Sequence, residues 1–259
     1  MFGNCQRCAR ITIAFDADEL HRCALQLTED YLPDNWLRVS STVFSRVAVN
    51  SELGLYYKEY LTRSPAESIR ARVRGSRATR ARINSDALLL AGIDAPRNVH
   101  WGKLPQGREY LFTETAPGVG INRWLTDSLA ERQGESLRTR RQLLHALGTF
   151  IGRVHATGFI HGDLRPSNVL AAQVQDQFRF TLIANERNVF KTPTPGKMLL
   201  RNLTQLNTLP LADLSRTDRM RFFRAWRKQM RDLSVMEAKV LAAEAFRRAL
   251  RRVANKDKL

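Results

Sequence analysis

The sequence predicts an α+β chain in two unequal lobes, a small strand-rich lobe followed by a larger helical one. Three observations point this way. Between residues 43 and 61, two segments rich in alternating, β-branched and aromatic residues flank the turn-like Asn50-Ser51-Glu52-Leu53-Gly54. Beyond residue 116, apolar residues recur at three- and four-residue steps. Finally, 259 residues with 43% apolar and 26% charged content suit one sizeable domain or two small lobes sharing a cleft.

Residues 1–35 read as a mixed lead-in that closes on the turn Pro33-Asp34-Asn35. The N-terminal lobe is expected over 36–115. Val43 to Val49 alternates, and Leu55-Tyr56-Tyr57-Lys58-Glu59-Tyr60-Leu61 is aromatic-rich, so both are expected as strands. Ser64 to Leu90 reads as helical, with seven arginines from Arg63 to Arg82, and Gly92 to Pro96 ends it. Glu109 to Glu114 is a further short strand, followed by the loop Ala116-Pro117-Gly118-Val119-Gly120.

The helical lobe is expected over 116–259. Leu143, Leu147, Phe150, Ile151 and Val154 form one apolar stripe. Ser215 and Asp218 have the spacing of a capping box, ahead of a face made by Met220, Phe223, Trp226 and Met230. The basic stretch from Arg247 to Leu259 is expected to fray.

Charge is the unusual feature of the composition. The chain carries 34 arginines and eight lysines against 25 acidic residues, a net charge of +17. Arginine grips phosphate or carboxylate through a planar fork of donors, so a phosphate-rich partner is favoured: a glycolipid, an anionic membrane face or nucleic acid. No aromatic stacking module or zinc finger accompanies the arginines, which makes nucleic acid the weakest of these.

No apolar run reaches 18 residues, so no membrane span is expected. The start shows no secretory signal, and a cytoplasmic location, with peripheral contact to a membrane, follows as the expectation. Three cysteines suit a reducing compartment. Cys5-Gln6-Arg7-Cys8 with His21 and Cys23 has spacing close to that of a small zinc knot, but a single C-x-x-C crowded by Arg7 and Arg22 reads instead as ordinary free thiols.

The chemistry concentrates in Phe159-Ile160-His161-Gly162-Asp163-Leu164-Arg165-Pro166-Ser167-Asn168-Val169-Leu170. This short polar loop lies between an apolar helix and an apolar strand-like run. It presents a carboxylate, a cation two positions on and an amide five positions on. Phosphoryl transfer needs such a set: a base for the acceptor hydroxyl, a positive charge for the γ-phosphate and an oxygen ligand for a metal.

The loop resembles the protein-kinase catalytic loop H-R-D-L-K-x-x-N, matched by His161, Asp163, Leu164, Pro166 and Asn168, with Arg165 at the common lysine position. Gly162 in place of arginine is similar to aminoglycoside, choline and lipopolysaccharide kinases. The segments Thr181–Arg187, Arg201–Asn207 and Ser215–Trp226 look like the lipopolysaccharide kinase (Kdo/WaaP-type) family, over roughly residues 40–230.

This resemblance implies a bilobal protein-kinase-like fold, ATP with Mg2+, and transfer to a sugar of the lipopolysaccharide core at the inner membrane's cytoplasmic face. It assigns Asp163 as base, Arg165 to the γ-phosphate, Lys58 to the α- and β-phosphates, and Glu114 to the adenine-binding hinge. Asn168 and Glu186 are nominated for metal.

Two departures stand out. The family's metal-binding aspartate is replaced by Ala184, with Glu186 two residues on as either a substitute ligand or a solvated charge. No G-x-G-x-x-G precedes Lys58, and no helix glutamate is visible for it; Asn84 and Asp86 lie near the expected place, and the Asn50–Gly54 hairpin is nominated to cover the phosphates. A catalytically impaired pseudokinase that binds or scaffolds is therefore the alternative.

Overall fold

Alternation along β3 (Leu55–Tyr60) organises the N-terminal lobe, because successive side chains leave the strand on opposite faces. The computed structural model describes residues 15–61, 75–194 and 196–256. Within it, β1 (Trp36–Arg38), β2 (Ser45–Asn50), β3, β4 (Asn98–Lys103) and β5 (Glu109–Glu114) form an antiparallel sheet in the order β1-β2-β3-β5-β4. Lys58 lies opposite Val47 on one side and Leu111 on the other, in the middle of the sheet.

Leu55 and Tyr57 face α1 (Ala17–Gln26) and bury against Leu20, Ala24, Leu27, Tyr110 and Phe112. The stretch that reads as a lead-in thus contributes a helix to the lobe's core. Tyr60 points the other way, into a smaller cluster with Ala78 and Ala81 of α2 (Arg77–Leu90) and Leu111. Of the helix expected over 64–90, residues 64–74 lie outside the described residues, and the rest forms α2 only from Arg77, because Gly75 (φ 76°) and the extended Ser76 interrupt a helix just before it. Its start is capped by Ser76, whose hydroxyl accepts from the Thr79 amide at 3.0 Å.

The C-terminal lobe is built on α3 (Gly134–Ala156), whose expected stripe buries Leu143, Leu147, Ile151 and Val154 almost completely. It packs on α5 (Arg216–Gln229). A side chain at Gly148 would meet the Phe222 carbonyl at 2.3 Å, so this helix crossing depends on glycine there. The capping box at Ser215 and Asp218 is present, and Phe223 and Trp226 are buried while Met220 stays exposed. Arg140 of α3, fully buried, donates to Asp218 at 3.0 Å and to the Leu125 and Leu129 carbonyls, joining three segments.

The remaining elements frame the cleft. β7 (Phe159–Ile160) pairs with β10 (Val189–Phe190), and β8 (Val169–Val174) forms a hairpin with β9 (Gln177–Leu182), with β6 (Val119–Gly120) on its edge. Helices α4 (Gly196–Leu206) and α6 (Val235–Lys256) complete the lobe. Contrary to expectation, the basic end does not fray at Arg247. Ala245 and Ala249 are buried, so one face of α6 is held by packing through that stretch.

Candidate active site

The loop between β7 and β8 is fixed by its own hydrogen bonds. The Asp163 amide donates to His161 Nδ1 at 3.0 Å, so His161 carries its proton on Nε2 and donates to the Ile183 carbonyl at 2.9 Å. Burial pushes the His161 imidazole below its ordinary pKa, which keeps this tautomer neutral. Asn202 of α4 accepts from the His161 amide and donates to its carbonyl at 2.6 Å. Asn168 Nδ2 donates to the Asp163 carbonyl at 2.7 Å, closing the loop on itself.

The Asp163 carboxylate points to solvent and pairs with Arg165 at 2.9 Å; the two side chains are 28% and 55% exposed, as reactive groups at a cleft must be. Gly162 sits where a side chain would meet Cβ of Arg187 at 2.0 Å and its carbonyl oxygen at 2.3 Å. The close approach of the turn after β9 excludes the arginine that protein kinases carry there.

That turn, residues 185–187, begins with Ala184 in the left-handed conformation (φ 63°, ψ 48°), which a non-glycine residue adopts at a cost. Asn185 anchors it by donating to Ser85 Oγ at 3.1 Å and to the Leu182 carbonyl at 2.9 Å. From α2, Arg80 donates to the Glu186 carbonyl and Asn84 to the Asn185 carbonyl, at 3.1 and 2.7 Å.

The Glu186 side chain enters the cleft and meets Lys58 at 3.3 Å and Arg77 at 3.6 Å. Burial alone would raise its carboxyl; Lys58, a hydrogen bond from its own backbone amide and Arg77 together outweigh that and lower it. The cation on α2 that completes this cluster is Arg77, in the helix's first turn and about two turns before Asn84 and Asp86, so no local pattern marks it.

Glu114 ends β5 opposite Leu55, and its amide donates to the Arg97 carbonyl at 2.9 Å. It is the last residue of an inner strand, on the chain segment that leads into the second lobe. The Thr115 amide donates to the Gly54 carbonyl at 2.8 Å, which puts the Asn50–Gly54 hairpin beside this connection. Near the Lys58–Glu186 pair lies instead the β1–β2 loop, whose Phe44 carbonyl accepts from Arg77 at 2.8 Å. The 50–54 hairpin is thus on the side of the inter-lobe connection, and residues 39–44 on the side of the Lys58–Glu186 pair.

Among the described residues, no three His, Cys, Asp or Glu side chains converge to hold a metal ion. Magnesium is ordinarily held by one or two carboxylates together with substrate phosphates. This cleft offers the Asn168 amide oxygen and Glu186, whose charge is already shared by two cations, and a methyl group stands at 184. That donor set does not fit a divalent ion. Cys5 and Cys8 of the zinc candidate lie outside the described residues; His21 bonds the Tyr110 hydroxyl at 2.8 Å, and Cys23 is a free thiol pushed up to about 11 by burial.

A sheet-rich lobe carrying a central lysine, above a helical lobe carrying the His161–Asn168 loop, defines a protein-kinase-like fold. The model of the lipopolysaccharide kinase (Kdo/WaaP) family matches residues 35–226, and the chain belongs to this family.

Among solved structures, WaaP, seen in complex with acyl carrier protein, has a TM-score of 0.55 at 23% identity, covering 83% of this chain and 87% of that one. WbdD reaches 0.50 at 19% identity, covering 86% of this chain and 50% of that one. At these identities the likeness is one of fold. The EKC/KEOPS complex subunit BUD32 of Chaetomium globosum is 29% identical over 153 residues, which is 51% of this chain and 56% of that protein. The chain therefore matches little more than half the length of that curated relative.

Proposed function

We propose that the protein is an ATP-dependent phosphotransferase acting on a hydroxyl of a lipopolysaccharide-core sugar or a related anionic glycolipid. The observation that carries this reading is the assembled loop: Asp163 solvent-facing, Asn168 locked behind it and Arg165 at 2.9 Å. The acceptor oxygen attacks the γ-phosphorus, its proton passes to Asp163, and the bond to ADP breaks. Arg165 and Lys58 offset the charge on the phosphates, with adenine against the backbone near Glu114.

The excess of arginine supports an anionic acceptor. Peripheral contact with the inner-membrane face is supported by a cavity of about 590 Å³ between α5 and α6. Met220, Phe223, Val235 and Phe246 line it together with Arg224 and Lys239. No described helix is long and apolar enough to cross a membrane. Phosphate transfer from labelled ATP to lipopolysaccharide core, in wild type and Asp163→Asn, tests the reading.

A second reading is favoured by one observation, the methyl group at 184, where the family resemblance implies a metal-binding aspartate. On that reading the cleft holds nucleotide without turnover, and the protein acts as a binding or scaffold module.

A further inference from the structure

We propose that Glu186 is the positioning residue for Lys58, reaching it from the second lobe to do what a helix carboxylate does in protein kinases, with Arg77 of α2 as its other anchor. The inference rests on the cleft being a nucleotide site.

Three elements meet at this carboxylate. Lys58 comes from β3, Arg77 from the first turn of α2 and Glu186 from the turn after β9, with side chains 20%, 7% and 10% exposed. Helix α2 carries one acid, Asp86. Asp86 accepts from Asn98 at 2.8 Å, and Asn84 is committed to the Asn185 carbonyl. Both cations also flank the Tyr60 ring, at 5.1 and 5.0 Å from its centroid. Without Glu186, two like charges would share this partly buried space with no anion between them, and Lys58 would turn away.

The turn that carries Glu186 is itself pinned to α2 through Arg80, Asn84 and Ser85. The lysine's direction is therefore set by the contact between α2 and that turn. In this arrangement the charges of the usual pair are transposed: the helix supplies the cation and the turn supplies the acid.

The experiment is equilibrium titration of the whole protein with ATP, once in EDTA and once in Mg2+, for wild type, Glu186→Gln, Arg77→Gln and the double variant. Thermal unfolding checks each fold, and Glu186→Asp replaces Glu186→Gln if the latter does not fold. A positioning role weakens binding by about tenfold in Glu186→Gln, equally in both buffers. The double variant is then no weaker than Glu186→Gln, since both changes act through one carboxylate. A loss confined to Mg2+ would make Glu186 a metal ligand and overturn the proposal while leaving the nucleotide reading intact, and so would unchanged affinity. Absence of ATP binding by wild type in both buffers would remove the nucleotide reading and the proposal with it.

Discussion

Lys58 and Glu186 are 128 positions apart in the chain and on different lobes, yet their charged groups lie 3.3 Å apart. Glu186 follows Ala184 by two residues, so the place where a metal-binding carboxylate is expected and the place where a carboxylate stands are adjacent but distinct. Ala184 already adopts the left-handed backbone that aspartate tolerates better than alanine. Ala184→Asp should therefore fold at least as well as wild type and supply a ligand beside Asn168. Transfer should rise about tenfold or more and become Mg2+-dependent, as initial rates over a metal titration will show.

Gly162 is fixed by contact rather than by chemistry. Gly162→Ala places a methyl group against the backbone of Arg187, and forcing the two apart should cost about 1–3 kcal/mol. The melting temperature falls and transfer is lost along with it. A melting temperature unchanged from wild type would show that the turn yields freely.

How much of this was legible in the sequence follows from the range of each interaction. The closed turn of the Asp163–Asn168 loop, the capping box at Ser215 and the stripe on α3 are set by residues a few positions apart, and the capping box and the stripe stand as the spacing predicts. Strand β4 did not announce itself, because its sheet position comes from pairing with β5 rather than from its own alternation. The Lys58–Glu186–Arg77 cluster joins three remote segments, so no local pattern encodes it. The carboxylate that meets Lys58 comes from the turn after β9 and not from α2, whose contribution to the cluster is the cation Arg77.

Arg140 and Asp218 should be the costliest polar pair to break. Both are buried, and Arg140→Met alone leaves an uncompensated carboxylate, which should destabilise the protein by about 3–5 kcal/mol in denaturant unfolding. Burial would raise the Asp218 carboxyl, but the hydrogen bonds from Arg140 and Ser215 hold it below its ordinary value. Its contribution is then present above the unfolded pKa near 3.8 and lost as pH falls through the depressed folded value.

His155 gives a separate acid sensitivity. It accepts from Trp226 at 3.0 Å and donates to Asn202 at 3.2 Å, and burial pushes it down to about 4. The folded imidazole stays neutral while the unfolded one protonates near 6.5. Stability is thus full above 6.5 and falls toward pH 4, by about 1.4 kcal/mol per unit. Between these limits His155→Gln should show a shallower pH slope than wild type in chemical denaturation, though with lower stability at pH 7.

The most direct measurement is transfer of labelled phosphate from ATP to lipopolysaccharide core by wild type and by Asp163→Asn. The substitution leaves the loop's backbone bonds to His161 and Asn168 in place, so the fold persists. The account predicts labelled glycolipid with wild type and none with Asp163→Asn. Equal labelling by both, or none by wild type, would contradict it.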